Sequence, residues 1–430
     1  MSAIPVPQAL AQASFPKEIL EVLRTLKGAG HQAYLVGGLV RDRLRGKPGG
    51  DYDVATSARA EQVQKLFRKV IPTGIQHGTV TVLTRSDKVE VTTFRGEGAY
   101  ADGRRPDSVV FLDEVAEDLA RRDFTINAMA YDPLDREFVD PFGGARDLEA
   151  KLVRCVGKAR DRFAEDGLRP LRAVRFASVL GFEVDPETLA AIPATLSTFR
   201  KIAFERVREE LSKMLLGPQP SRGVRLLRET GLLEAILPEA AGGDFERALA
   251  RLDACPSRLE VRHAALLFGL PFEKAQAAME RLRHPRAVID TTAALVRQQA
   301  FALQSYPDEA SLRRALCAVG RPLVDDVLAL GAAEAKASGE VRLVDLARQA
   351  AEATRRALAA RPPLTVGELA LDGKAVMAIL GAGQGPRVGQ ALRFLLDRVL
   401  QDPSLNQSGA LERLLREWAP GQPSGTPSVK

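Results

Sequence analysis

Only three cysteines occur in the 430 residues, Cys155, Cys255 and Cys317, and they stand far apart. No CxxC pair joins them and no histidine lies near them at metal-ligand spacing, which argues against a disulfide framework and against a zinc site. Buried, inert thiols are the expectation. No apolar run reaches the ~18 residues that a membrane span requires. The opening stretch, MSAIPVPQALAQASFPKE, has no basic segment followed by an apolar core, so nothing in it reads as a targeting sequence. A soluble protein of the reducing cytoplasm, with no membrane partner, is therefore expected. No internal repeat of fixed period is visible.

What is present is a balanced globular composition, 45% hydrophobic and 27% charged, with a formal charge of +6 and a pI near 9.3. The length predicts two to four domains. Helix formers concentrate after about residue 150, so a mixed α/β front and a helical back are expected. The basic bias is moderate, but it is concentrated. Residues 151–175 hold eight Lys/Arg against three acids, a distribution that points to a polyanionic partner.

Periodicity predicts a helix through Ile19, Val22, Leu23 and Leu26, then a buried strand at 33–36 closed by Gly37-Gly38. A helix through Val40 and Leu44 follows, then a strand from Asp51 to Ala55 and a helix over 58–68. Thr79–Thr84 and Lys88–Phe94 alternate as hairpin strands. Residues 96–107 read as a mobile loop, 117–131 as a helix and Phe138–Phe142 as a strand. Beyond Gly157 almost everything reads as helix, broken near 217–220, 241–243 and 361–363. The last ten residues read as disordered.

Asp51-Tyr52-Asp53 carries the central chemistry. Residues i and i+2 of a strand project from one face, and two adjacent carboxylates repel unless a cation lies between them. Mg²⁺ accepts a few carboxylates and leaves room for substrate phosphates. About a dozen residues earlier, Gly37-Gly38 closes a strand and opens a helix, with Arg41 one turn in. That turn lets a phosphate approach backbone N–H groups and a guanidinium. Glu90 sits on the less apolar face of its strand and is a third candidate ligand. In Arg121-Arg122-Asp123-Phe124-Thr125-Ile126-Asn127, Arg122 is a phosphate candidate, and Asp123 and Asn127 lie one helical turn apart as braces. Asp166, Arg169, Arg172 and Arg175 step by three, an oblique band on one helix that offers acceptors and forked donors to a base edge.

These runs, VGGLVRDRLRG, DYDVAT, RRDFTINAMA and EDGLRPLRAVRFA, resemble the class II tRNA CCA-adding enzymes and their relatives, the bacterial poly(A) polymerases. The motifs fall in order over residues 34–182, and a looser likeness continues through ETGLLEAILPE and LTVGELALDGKAVMAIL. The resemblance implies a polymerase-β-like nucleotidyltransferase head, an α/β domain with a mixed sheet and helices, followed by all-α neck, body and tail domains. The boundaries expected are 1–155, 156–220, 221–360 and 361–420, with 421–430 disordered. It implies Mg²⁺ held by Asp51 and Asp53, with Glu90 as the third acidic residue. Gly37, Gly38 and Arg41 match the phosphate turn, and Arg122 the nucleotide-contacting arginine beside Asp123 and Asn127. Asp166 and Arg169 match the pair that reads the base of CTP or ATP, and Arg172 and Arg175 match further nucleotide-binding arginines.

Pro170 follows Arg169 directly, which requires the helix to begin near Asp166 or Gly167 so that the proline falls in or just past its first turn. Residues 73–80, TGIQHGTV, resemble the CCA-adding branch more than the poly(A) branch. The stretch Gly98–Pro106, with Asp102, Arg104 and Arg105, resembles the flexible loop that CC-only relatives lack. A-only addition and poly(A) synthesis are the alternatives within the family, and a non-catalytic RNA-binding protein is a remote one. None of the four histidines is followed by Asp, so no HD-type phosphohydrolase motif is present.

Overall fold

The computed structural model describes residues 4–48, 50–75, 78–97 and 109–418. The chain divides into two compact units, 1–241 and 242–430, at the break read near Ala241-Gly242-Gly243.

The first unit opens with helices α1 (Gln8–Ala11) and α2 (Lys17–Gly28), strand β1 (Ala33–Val36), helix α3 (Gly38–Leu44), strand β2 (Tyr52–Thr56) and helix α4 (Ala60–Leu66). Strands β3 (Val70–Gly74), β4 (Thr79–Leu83), β5 (Lys88–Thr93), β6 (Arg95–Glu97) and β7 (Val109–Phe111) follow. Then come α5 (Val115–Ala120), β8 (Ala130–Asp132), β9 (Glu137–Val139), α6 (Gly144–Glu149), β10 (Leu152–Val153), α7 (Ala159–Glu165), α8 (Arg169–Leu180) and β11 (Glu183–Val184). Four helices complete it: α9 (Pro186–Ala194), α10 (Leu196–Phe199), α11 (Phe204–Leu215) and α12 (Pro220–Glu229), before shorter turns at 232–240.

Seven strands form one mixed sheet in the order β3-β4-β5-β2-β1-β8-β9. Only β2 and β5 run parallel, in the register Asp53↔Glu90. Alternation along β2 sorts its side chains. Tyr52 and Val54 join Val22, Leu23, Leu26, Val63, Val82 and Val91 in a core beneath the helices. Ala55 belongs to a second cluster on the other face, with Val36, Phe94, Leu119 and Ala130. Asp53 shares that second face. Helix α2 packs because Ile19, Val22, Leu23 and Leu26 fall on one stripe and are at most 2% exposed. Each contributes roughly 1.5–3 kcal/mol by burial.

Three local expectations are corrected. The helix over 117–131 is α5, then a single 3₁₀ turn at Thr125–Asn127, then strand β8. Tertiary partners replace the helical ones: Thr125 N–H donates to the Arg154 carbonyl at 2.9 Å, and the Thr125 hydroxyl donates to the buried Asp147 carboxylate at 2.7 Å. The strand at 138–142 ends at Val139, because Asp140 leaves the sheet to accept the Gly144 and Ala145 N–H groups at the start of α6. The strand read from Asp51 begins at Tyr52, leaving Asp51 just outside it. The short strands β3, β10 and β11 were not anticipated. The loop with Asp102, Arg104 and Arg105, and the last ten residues, lie outside the described residues.

The second unit is helical among its described residues, from Phe245–Ala254 through Ser408–Trp418. Asp244, Asp308 and Asp372 cap three of its helices, each accepting a backbone N–H of the first turn. Inside it, Glu334 bridges Arg247 and Arg251 at 2.5 Å each. No described helix is long and apolar enough to cross a membrane.

Gly144 lies where α6 packs against the 3₁₀ turn at Thr125–Asn127. A Cβ there would stand 2.2 Å from the Thr125 carbonyl oxygen and 2.9 Å from the Met129 side chain. Gly144→Ala is expected to cost about 3 kcal/mol by overpacking and to displace the turn that carries Asn127. Urea titration followed by circular dichroism checks this, and a wild-type midpoint would contradict it.

Candidate active site

A cavity of about 610 Å³ opens on the sheet face that carries Asp53. Its floor is the end of β1, the Gly37-Gly38 turn and the start of β2. Gly37 has φ +71° and ψ −134°, and a Cβ on it would lie 3.1 Å from Arg122 Nη1 and 3.8 Å from an Asp53 carboxylate oxygen. Glycine is required there both for conformation and for space. Helix α3 runs only seven residues, so its aligned peptides add little, and side-chain cations supply most of the positive charge.

Asp51 is exposed, while Asp53 is half-buried between it and Glu90 on β5. Burial first, then the charges of Glu90 and Asp51, push the Asp53 carboxyl up to about 6, against the pull of Arg122. Among the described residues no group of three or more His, Cys, Asp or Glu converges closely enough to cage a metal ion. The carboxylates instead form an open edge carrying unrelieved negative charge. Such an edge fits a hard divalent cation that takes one or two carboxylates and completes its shell with substrate oxygens.

Arg122 faces this edge. Its Nη2 reaches Asp118 at 3.3 Å, while its buried Nε has no hydrogen-bond partner among the described residues. Asp118 is held below the usual carboxylate range: burial would raise it, but Arg121 and Arg122 outweigh burial. Arg122 therefore arrives anchored and under-bonded, as a phosphate-binding group would be.

The other arginines are tied into one relay. Arg41 chelates Asp42 at 2.8 and 3.0 Å and donates to the Asn127 side-chain oxygen at 2.7 Å. The Asn127 amide donates to Asp123 at 3.1 Å. Arg172 grips the other Asp123 oxygen twice, at 2.6 and 2.9 Å, and approaches Glu210 at 3.5 Å. Glu210, 4% exposed, also binds Arg175. Phe176 supplies a ring beneath Arg41, Arg172 and Arg175, a cation–π platform for all three. The chain of contacts runs from the phosphate turn to α11 without a gap.

Residues 33–154 match the family described as the Poly A polymerase head domain, and residues 181–242 match the one described as a probable RNA and SrmB-binding site of polymerase A. The CCA-adding enzyme of Geobacillus stearothermophilus is 38% identical over 404 residues, 93% of this chain and 96% of that one. The chain belongs to the CCA-adding enzyme family. The CCA-adding enzyme of Lactobacillus delbrueckii subsp. bulgaricus is 37% identical over 400 residues, 93% of this chain and 97% of the relative. The crystal structure of the Bacillus stearothermophilus CCA-adding enzyme in complex with CTP superimposes with a TM-score of 0.76 at 33% identity, over 94% of this chain and 97% of that one.

Of the residues singled out in this CCA-adding family member, Gly37, Gly38, Arg41, Asp51, Asp53, Glu90, Arg122, Asp123, Asn127, Asp166, Arg169 and Arg172 all line the one cavity. Arg175 does not; it stands behind Arg172 on Glu210. The single-helix band is corrected. Asp166 has φ −131° and ψ 104° and ends α7, while α8 begins at Arg169 with Pro170 in its first turn. The proline is thus harmless, as required, although the helix starts two to three residues later than expected. Gly167, between the two helices, lies close against the chain: a Cβ there would stand 2.8 Å from the Thr198 carbonyl oxygen.

Asp166 and Arg169 also hold partners other than each other. Asp166 accepts from Leu168 N–H and from Arg206 on α11, both at 3.0 Å. Arg169, 6% exposed, donates to Glu165 at 2.7 Å and to the Arg121 carbonyl at 3.0 Å. Sequence reasoning missed Glu165, Arg206 and Glu210 as supports. Glu165 stands in the EDGLR run already noted, but nothing local marks Arg206 or Glu210.

The Asp123 carboxyl is pulled down to about 2: burial opposes ionisation, but the Arg172 charge and the hydrogen bonds from Asn127 and Arg172 overcome it. A depressed carboxyl stabilises the fold above its unfolded value of 3.8, and that contribution fades as pH falls towards 2. It amounts to about 2 kcal/mol. Asp123→Asn should remove this increment at neutral pH and flatten the acid limb between pH 4 and 2. Urea midpoints measured across that range check it, and parallel wild-type and variant curves would contradict it.

Proposed function

We propose that this chain adds C, C and A in turn to the 3′ end of tRNA, from CTP and ATP, without a nucleic-acid template and with release of pyrophosphate. One observation carries the reading: a single cavity holds the carboxylates Asp51, Asp53 and Glu90 together with Asp166, Arg169 and Arg172. A head that had lost catalysis would not need both sets. Support for the substrates comes from the relatives, one of which has been crystallised with CTP.

Asp51 and Asp53 would hold Mg²⁺, with Glu90 beside them across the strand pair. The bound ion would supply activation of the terminal hydroxyl and neutralisation of the departing pyrophosphate. Arg122, with its unmet donor, takes the phosphates at the Gly37-Gly38 turn. Arg41 and Arg172 position that turn through Asn127 and Asp123. Asp166 offers acceptors and Arg169 donors to the base edge. Cytosine and adenine each pair an amino donor with a ring-nitrogen acceptor. Uracil reverses both, which leaves buried polar groups unpaired. Base reading requires Asp166 to release Arg206 and Arg169 to loosen from Glu165, so selection is coupled to a local exchange of partners.

In this reading the expected segments divide the labour: a catalytic head over 1–155, a template-bearing neck over 156–220, and body and tail over 221–360 and 361–420 for tRNA. A cytoplasmic setting agrees with the three unpaired cysteines.

Asp166→Ala and Arg169→Ala should each lower kcat/KM for CTP and ATP and narrow their advantage over UTP and GTP by about ten- to a hundredfold, the value of an unpaired polar group worth ~1–3 kcal/mol. Asp53→Asn, as comparator, should lose addition of every nucleotide while still binding tRNA. Measuring all four nucleotides on tRNA ending at its discriminator base and on tRNA ending in CC decides the matter. Wild-type preference in both template variants would place base reading elsewhere.

A further inference from the structure

A second groove, of about 770 Å³, opens on the helix-covered side of the head sheet, between α2, the α4–β3 connection and the β4–β5 turn. It shares no lining residue with the cavity around Asp53. Val22 and Val82 at its base belong to the core beneath the helices, whereas Asp53 projects from the opposite face.

Lys17, Arg68, Lys69 and Arg85 line this groove against Glu18 and Glu21. All four cations are exposed, and among the described residues none has a side-chain ion pair or hydrogen bond. The arginines of the catalytic cavity behave differently: Arg41, Arg121, Arg169 and Arg172 each donate to a carboxylate or a carbonyl. Four cations against two acids leave the lining net positive, and since none of the four is neutralised by an ion pair among the described residues, a polyanion is the complementary ligand. Phe67, partly buried against the core beneath the helices, lines the same groove and sets an aromatic side chain beside these cations. Cations that track a backbone, with an aromatic face beside them, are the elements of single-strand recognition.

We propose that this groove binds the phosphate backbone of a short single-stranded RNA segment, with Phe67 against one base. Its position off the catalytic face makes it a holding site rather than part of the chemistry. The claim does not depend on the catalytic reading, because its test reads binding.

Anisotropy of a labelled oligouridylate with the full chain, titrated over a salt series, provides the test. The variant Arg68→Ala/Lys69→Ala/Arg85→Ala should raise the dissociation constant about tenfold and reduce the log–log salt slope by about 2, three lost phosphate contacts at ~0.7 each. Arg85→Gln alone should reduce the slope by about 0.7, and it guards against misfolding of the triple variant. Nucleotide addition to a minimal acceptor stem should stay at the wild-type rate in both. Unchanged affinity and slope would overturn the proposal. A parallel loss of addition rate would overturn it too, since the groove would then not be separate from the catalytic cavity. A third arm uses inorganic polyphosphate: competition with oligouridylate is expected, and binding of polyphosphate without oligouridylate would assign the groove to a free phosphate chain instead.

Discussion

The grip of Arg172 on Asp123 is the interaction on which the rest of the site depends. It joins a loop of the sheet domain to helix α8 through two charge-assisted hydrogen bonds to one oxygen. The second oxygen of Asp123 holds Asn127, and Asn127 holds Arg41. Removing Arg172 would leave the Asp123 carboxylate largely buried without its principal cation, which costs more than the intact pair contributes. The Gly37-Gly38 turn, Asn127 and helix α8 thus keep their relative positions because one carboxylate is satisfied from both sides.

Charge is distributed with a division of purpose. Most cations around the cavity are spent internally: Arg41 on Asp42, Arg121 on Asp118, Arg175 on Glu210. Arg122 is the exception, with a buried nitrogen left unpaired and its charge directed at Asp53. On the opposite side, burial, joined by the charges of Glu90 and Asp51, lifts the Asp53 carboxyl. The two imbalances are complementary to a nucleoside triphosphate and its cation, and neither is explained by stability alone.

The legible part of this design was local. The two-residue period of β2 put Asp53 on the face opposite Tyr52 and Val54, with Asp51 just ahead of the strand, and Gly37 announced a turn that only glycine fills. Alternation placed Glu90 on the less apolar face of its strand, and only the parallel register of β5 on β2 shows that this sets it beside Asp53. What escaped depended on distant partners. The helix read over 117–131 gave way because Arg154 and Asp147, far along the chain, took the hydrogen bonds of Thr125. The band through Asp166 failed at its first member, whose extended backbone lies between α7 and α8 while its carboxylate accepts from Leu168 N–H and from Arg206, 40 residues on. Glu210 sits among acidic and basic neighbours in FERVREEL, indistinguishable there from solvated charge, and only the fold shows that it is buried against Arg175.

The most direct test of the whole account is a ladder of additions to tRNA stripped of its 3′ CCA, with Mg²⁺ and the purified full chain. CTP alone should extend the RNA by two residues and stop. ATP alone should add to tRNA already ending in CC, and the two nucleotides together should add three. Unlimited A tails, or no extension of the stripped tRNA, would contradict it.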